Sequence, residues 1–442
     1  MKIGFFKISL INLIIGILLY IFLFIVYPAN SNYFECNKVF EDNLFNSQIT
    51  YSIPVSCDQE LYLIGVKDFQ SIYKFDYNYQ SRPLYIFIVK IFYDILNTLM
   101  SNTLMVNFLS FSLTHLLIIS FSTKIFFDSL DKVKILIDNK VKILISIFIF
   151  LSPIIKWGFF DSSHQTFTLM QFIISFYFLV YEFEDFNKIY LLSFILGFLA
   201  LSNLTFALSL IFLVFNKIKT EEKVFDNFWK LVLTFFLFLI PIISWNLFIR
   251  AQGYVPYNAA TTYWNQFIWL KDYIVEKNEN VNLDSRYEYY CMSIPIFLKC
   301  YLADFLDTIF YLFNLVVLLL GTYIYIDQLK KELYVSLFKK LLIVFTVTFI
   351  FWSFIGWYPP LRFSLYSIGY FLTLIFCIQF IFINNVRIKI LSGFSYFLYF
   401  LFLNHWNYVD VIKINIGLLI SIFLTLYIPL GYIHENTFKR EN

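Results

Sequence analysis

The chain has 442 residues, 60% of them hydrophobic, 22% aromatic and only 14% charged, with a net charge of +3 and a mean hydropathy of +0.71. Soluble domains carry about 25% charged residues, so this composition excludes a soluble globular protein. Repeated apolar runs of about 20 residues mark transmembrane helices instead. No zinc-type cysteine/histidine cluster, phosphate-cradling glycine loop or nucleic-acid surface occurs in the sequence, and nucleic acid is not an expected partner.

The first apolar run, Phe5 to Tyr27, exceeds the roughly 7–15-residue core of a signal peptide, and no small-x-small cleavage site follows it. It reads as a retained first span with a cytoplasmic N-terminus. Residues 28–102 form a long, mostly polar first outer loop. Within it, Pro83 to Leu96 is apolar but short and is interrupted by Lys90 and Asp94. Counting it as a span would put the lysine-rich segment Lys124 to Lys142 outside, against the positive-inside rule. It is therefore expected to be an amphipathic helix lying at the outer interface.

Further spans are expected at 103–125, 143–160, 165–182, 189–202, 204–216, 230–249, 303–326, 341–357, 361–383, 391–404 and 411–432. The predicted architecture is an all-α polytopic membrane protein. It has about 12 transmembrane helices, both termini inside and interfacial helices in two long outer loops. Residues 1–442 make a single transmembrane domain, with the second outer loop at 251–302. The cytoplasmic connections then hold Lys132, Lys134 and Lys140, Lys217, Lys219 and Lys223, and Lys330, Lys331, Lys339 and Lys340. Cys36 and Cys57 fall in the first outer loop and Cys291 and Cys300 in the second. One or two disulfides are expected, and four cysteines allow three pairings. Asn203-Leu204-Thr205 matches a glycosylation acceptor but sits in a tight turn between two short spans.

Several polar residues gather at the predicted outer boundary. Asp58 and Glu60 lie early in the first outer loop. Asp161 and His164, in WGFFDSSHQTF, occupy a short turn at the membrane surface, where an ionisable group needs a partner, a cation or water. Capping of the following helix by Asp161 is the competing explanation. Arg82 precedes Pro83, a residue suited to a first helical turn. A guanidinium beside unpaired backbone N–H groups suits a phosphate. Arg362, in YPPLRFSLY, begins a late span on the same side. The chain has 27 lysines against 6 arginines, and Arg82, Arg250, Arg286 and Arg362 all fall outside. His115, inside a span, is expected to be packed and hydrogen-bonded.

This layout resembles the GT-C superfamily of integral membrane glycosyltransferases, nearest to the protein mannosyltransferase and aminoarabinose transferase family. The resemblance rests on the acidic motif after the first span, the Arg82-Pro83 pair, the second acidic residue at Asp161, the paired short helices of Leu191 to Phe215, and Leu239 to Gly253. YPPLRFSLYSIGY is similar to the start of a late span in that family. The first acidic motif is Asp-Gln-Glu where adjacent acids are common, so Asp58 and Glu60 both stand as the base. The resemblance implies inverting transfer of a sugar from a polyprenyl-phosphate donor to a lipid, glycan or protein acceptor at the outer face of the plasma (inner) membrane. Asp58 would deprotonate the acceptor, Arg82 and Arg362 would neutralise the leaving phosphate, and Asp161 with Glu60 or His164 would orient the donor or hold a divalent cation. A transporter or flippase for lipid-linked saccharides, and an O-antigen-type polymerase, are the rival readings.

Overall fold

The structure is a computed structural model, and it describes residues 10–19, 21, 58–74, 78–152, 155, 166–181, 183, 185–220, 228–257, 316, 319–327, 330–355 and 360–402. The described chain is mostly helical. Among the described residues there is no strand, only an isolated antiparallel bridge between Ile326 and Ile383. The chain divides into two compact units, the first made of Met1–Phe150 with Ile155–Tyr257, the second of Leu151–Ile154 with Asn258–Asn442.

In the first unit, α1 (Leu10–Leu19) packs on α5 (Asn139–Leu151). Asn12 Oδ1 accepts from Ser146 Oγ at 2.9 Å, and a side chain at Gly16 would meet the Phe150 ring at 2.7 Å. The outer-loop segment folds into α2 (Asp58–Lys67), a single turn at Ser71–Lys74, a 3-10 turn at Asn78–Ser81 and α3 (Pro83–Leu99). Pro83 stands at the first helical position, where its missing N–H costs nothing and its fixed φ suits the helix.

Helix α4 (Thr103–Lys132) starts after only three residues. Asn102 caps it by accepting from Met105 N at 3.1 Å. Tyr85, near the far end of α3, meets His115. His115 lies about 18 Å along α4, and Tyr85 lies about 21 Å back from Leu99, at 1.5 Å of rise per residue. The two lengths match, so α3 folds back along the first half of α4 as an antiparallel hairpin. Pro83, Tyr85, Ile86 and Val89 are buried, while Phe87, Ile91 and Ile95 are exposed; the two charges that interrupt the segment, Lys90 and Asp94, pair with each other one turn apart at 3.0 Å.

Helix α6 (Thr166–Val180) is the centre of the unit, with 12 of its 15 residues buried. It packs on α4 and on α8 (Phe206–Thr220). Phe126 and Phe176 rings lie 6.3 Å apart, and Lys132 Nζ sits 4.4 Å from the Tyr181 ring. With His115 beside Thr166, these contacts show that α4 and α6 run in the same direction. α7 (Phe186–Ala200) begins at Asp185, whose carboxylate accepts from Asn187 N at 2.9 Å. It crosses α9 (Phe228–Ala251) at Gly197, where an added Cβ would collide with the Phe238 carbonyl and lie 3.1 Å from Pro241 Cδ.

In the second unit, α10 (Lys331–Ile355) and α11 (Pro360–Phe382) pair antiparallel. The Phe345 and Phe371 rings stack 4.9 Å apart near the middle of the pair, and Tyr334 meets Phe382 at one end. Gln379 ties them to the preceding segment, donating to Leu319 O at 2.6 Å and Thr322 Oγ1 at 2.8 Å and accepting from Tyr334 Oη at 3.3 Å. α12 (Val386–Phe402) follows, capped by Asn385.

Predicted spans and observed helices overlap wherever both are described; the ends of α6, α7, α8, α9 and α11 fall within four residues of the predicted ones, whereas α10 begins at Lys331, ten residues before the predicted start, and α4 runs on to Lys132. Three helical stretches among the described residues are long and apolar enough to cross a membrane: Met105–Lys132, Phe228–Ala251 and Lys331–Phe351. Helices of 15 residues such as α6 and α7 reach about 22 Å, short of the roughly 30 Å hydrocarbon core.

Candidate functional site

The site end of the first unit is where four pieces of chain terminate together: the start of α3, the start of α6, the turn between α7 and α8, and the end of α9. Backbone and side-chain bonds join them. Leu84 N, in the first turn of α3, donates to Leu201 O in the α7–α8 turn at 3.3 Å. Gln80, 1% exposed, is bonded on every side. Its Nε2 donates to Tyr73 O at 3.3 Å and Val255 O at 3.4 Å, and its Oε1 accepts from Tyr257 N. Its own carbonyl accepts from Trp245 Nε1 at 2.8 Å. A buried amide must find partners for both ends, and here the partners fasten the 3-10 turn before α3 to the chain leaving α9.

Arg82 occupies the N-cap position of α3, with no side-chain cap. Its Nη1 donates to the hydroxyl of Tyr62, which is buried in α2. The guanidinium has five N–H groups, and this bond fixes its direction. The Tyr62 ring packs edge-on against Tyr85 at 5.4 Å. Tyr85 is fully buried among Phe111, His115 and Phe167. Its hydroxyl lies 3.2 Å from His115 Nε2, and His115 Nδ1 is bonded to Thr166 Oγ1. A neutral imidazole carries one N–H, so His115 donates to one of these hydroxyls and accepts from the other. The expectation for His115, packed and hydrogen-bonded, agrees with this.

The predicted site residues divide into four groups. Arg82 is at the start of α3, as expected, although one N–H of that helix terminus is taken by Leu201. Asp58 and Glu60 lie in the first turn of α2, four and two residues before Tyr62, and their side chains are outside the described residues. Asp161 and His164 are outside the described residues altogether, and Thr166 follows them in sequence. Arg362 lies in the first turn of α11, in the second unit, with its side chain undescribed. Cys36, Cys57, Cys291 and Cys300 are likewise outside the described residues, and Cys377 is a buried free thiol. Among the described residues no group of three His, Cys, Asp or Glu side chains could hold a metal ion. Asp161, the candidate ligand, is not among those residues.

The arginines of the described first unit, Arg82 and Arg250, both fall at this end, Arg250 in the last turn of α9. At the far end are Lys132, Lys142 and Lys230, each over an aromatic ring. The glycosylation-like Asn203 is 4% exposed. Its Oδ1 accepts from Thr205 N at 3.1 Å and Thr205 Oγ1 at 2.9 Å, so it shapes the α7–α8 turn. Tyr62, Gln80, Tyr85, Thr166 and Trp245 escaped the sequence reading. No local pattern marks them, because each acquires its partner only through contacts 7 to 177 residues away in sequence. No protein-family model matches this chain, and no characterised protein or solved structure matches it either.

Proposed function

We propose that the protein is a multi-pass membrane glycosyltransferase of about 12 spans that takes a sugar from a polyprenyl-phosphate donor at the outer membrane face. The observation that carries this reading is the meeting of α2, α3 and α6 at one end of the first unit. α2 bears Asp58 and Glu60, α3 begins at Arg82, and α6 begins five residues after Asp161. On this reading the end holding Arg82 and Arg250 is the outer one, and the lysine-rich end is cytoplasmic, following the positive-inside rule.

The chemistry follows from the residue types. An acceptor hydroxyl attacks the anomeric carbon from the face opposite the phosphate. Its proton passes to Asp58, or to Glu60, as the C–O bond to phosphate breaks with inversion. Arg82 compensates the charge that grows on the leaving polyprenyl phosphate. Asp161, with Glu60 or His164, orients the donor; a divalent cation held there would add Lewis-acid assistance. A positioned base contributes about 10²–10⁴-fold, and fixed charges at the leaving group often contribute more. Sugar donors available outside must be lipid-borne, which makes a site between membrane and outer loop the appropriate place.

A second reading, a transporter of lipid-linked saccharides, is favoured by one observation: α4 buries Lys124, paired with Asp128, and a run of hydroxyls within its length. The deciding experiment is Asp58→Asn in cells. The variant is expected to insert and fold at parental level and to make no glycan product. Retained product with Asp58→Asn but none with Glu60→Gln assigns the base to Glu60. Retained product with both, alongside saccharide flux in vesicles, overturns the transferase in favour of transport.

A further inference from the structure

We infer that the Tyr85–His115–Thr166 chain is a positioning device that sets the first turn of α6 against the Arg82-bearing start of α3. The inference deepens the transferase reading and depends on it for its catalytic meaning. Three observations carry it. His115 uses both ring nitrogens on residues of two other helices, one 30 positions before it and one 51 positions after it. Tyr85 and His115 have no exposed surface, and Thr166 is 4% exposed, so water does not substitute for any link. The links lie where the chain most needs them, at the first turn of α3, three residues from Arg82, and at the first residue of α6, five residues from Asp161.

A residue serving only to fill space would be replaceable here by phenylalanine, as its ring neighbours show. Phe111 and Phe167 pack on the same Tyr85 ring within 6.3 Å. An imidazole instead fixes distance and orientation between two helix starts, because both of its bonds lie in the ring plane. Tyr85 extends the tie, through its edge-on contact with Tyr62, to α2 and so to the helix that begins at Asp58. On the proposed reading, α2, the start of α3 and the start of α6 are held in register by a chain none of whose middle members touches substrate. Misplacing a reacting group by about 1 Å costs on the order of 10²-fold in rate, which sets the scale of the effect.

The test uses the full chain in nanodiscs and in cells, with His115→Phe, His115→Asn, His115→Gln and Thr166→Val. Asparagine imitates the Nδ1 link and glutamine the Nε2 link, so each conservative variant restores one half of the tie. In His115→Phe and Thr166→Val, amide hydrogen exchange is expected to rise in the first turn of α6 and stay unchanged in α10 and α11. Product per folded molecule is expected to fall about 10- to 100-fold, with binding of polyprenyl phosphate within twofold of the parent. His115→Asn and His115→Gln should fall between His115→Phe and the parent. Unchanged exchange in His115→Phe overturns the positioning role. So does increased exchange with undiminished product per folded molecule. Asp58→Asn serves as the control, losing product with parental exchange. If the parent itself makes no product, the transferase reading fails, and the exchange result still decides whether His115 holds the two helix starts together.

Discussion

Helices α4 and α9 are both long enough to cross a membrane, yet they are built on opposite plans. In α4, 71% of the apolar stretch is buried; in α9 the share is 22%, and α9 is the more apolar of the two. The inner helix carries Ser110, Ser112, Thr114, Ser120, Ser122, Thr123 and Ser129, all buried. The outer one presents Trp229, Phe236, Leu239 and Leu247 to its surroundings. In water the order is reversed, because apolar surface is what burial removes from the solvent. Hydrocarbon offers leucine no reason to leave the surface, so helices associate through small and hydrogen-bonding residues. This is the distribution expected of a protein surrounded by hydrocarbon. The hydroxyls of α4 also show how polarity is accommodated inside. Ser120, Ser122 and Thr123 donate to the carbonyls four residues back at 2.6–2.8 Å, which leaves their bonding satisfied within the helix itself.

The strongest way to break the comparison is to give α9 a charge that α4 tolerates. Lys124 is buried in α4 with Asp128 one turn away. Leu239, near the middle of α9, is 43% exposed and has no acidic neighbour one turn away. Leu239→Lys is expected to lower membrane insertion by about 2.5–3.5 kcal/mol, measured as the inserted fraction of the full chain. Adding Ile243→Asp, one turn on, is expected to lower insertion further, but by less than the sum of the two single changes, because the charges pair at i,i+4. Unimpaired insertion of Leu239→Lys would mean that α9 does not face lipid.

The next effect belongs to the crossing of α7 and α9. Gly197 is buried against the Phe238 carbonyl and the Pro241 ring. Gly197→Leu must push two helix backbones apart, at a cost of about 1–3 kcal/mol or more, read as a lower melting temperature in detergent. Gly16→Ala presses on side-chain atoms of Phe150 and Leu116 and on no neighbouring backbone, and is expected to cost less. Equal losses would show that the α7–α9 contact is not tighter than the α1–α5 contact.

Helix positions were readable from sequence because an apolar run of about 20 residues reports directly on the surrounding medium. Which helices lie inside was not readable. Hydropathy ranks α9 above α4, and only the contacts of α6 on α4 and α8 reveal which is central. The same limit applied to the site. Arg82 stood out as one of six arginines, and Pro83 announced the helix after it. Tyr62, its hydrogen-bond partner, is one of 33 tyrosines. Gln80 is a polar residue in a polar loop until Val255 and Tyr257 come to meet it. The residues of α3 read as a short apolar helix from sequence, but its antiparallel pairing with α4 depends on Tyr85 reaching His115, a relation that periodicity does not carry.

The smallest expected effect compares two helix ends that share one geometry. α9 closes with Gly253 N bonded to Arg250 O at 2.9 Å and Tyr254 N to Ile249 O at 3.2 Å. α4 closes in the same way, with Lys134 N bonded to Asp131 O at 3.0 Å and Ile135 N to Leu130 O at 3.2 Å. Both are Schellman ends, which place the residue after the cap in the left-handed region. That residue is Gly253 at φ 84° in one and Lys134 at φ 61° in the other. Glycine enters this region freely, whereas a side chain costs about 1–2 kcal/mol there. Lys134→Gly is therefore expected to raise stability by about 0.5–1 kcal/mol, the gain being reduced by glycine's freer unfolded chain. Gly253→Ala, where a Cβ meets nothing within 4 Å, should lower it by about 1 kcal/mol through backbone strain alone. Melting temperatures of the two variants should move in opposite directions. Movement in the same direction would show that the side chain of Lys134, near the cytoplasmic end on the proposed topology, contributes more than its backbone conformation costs.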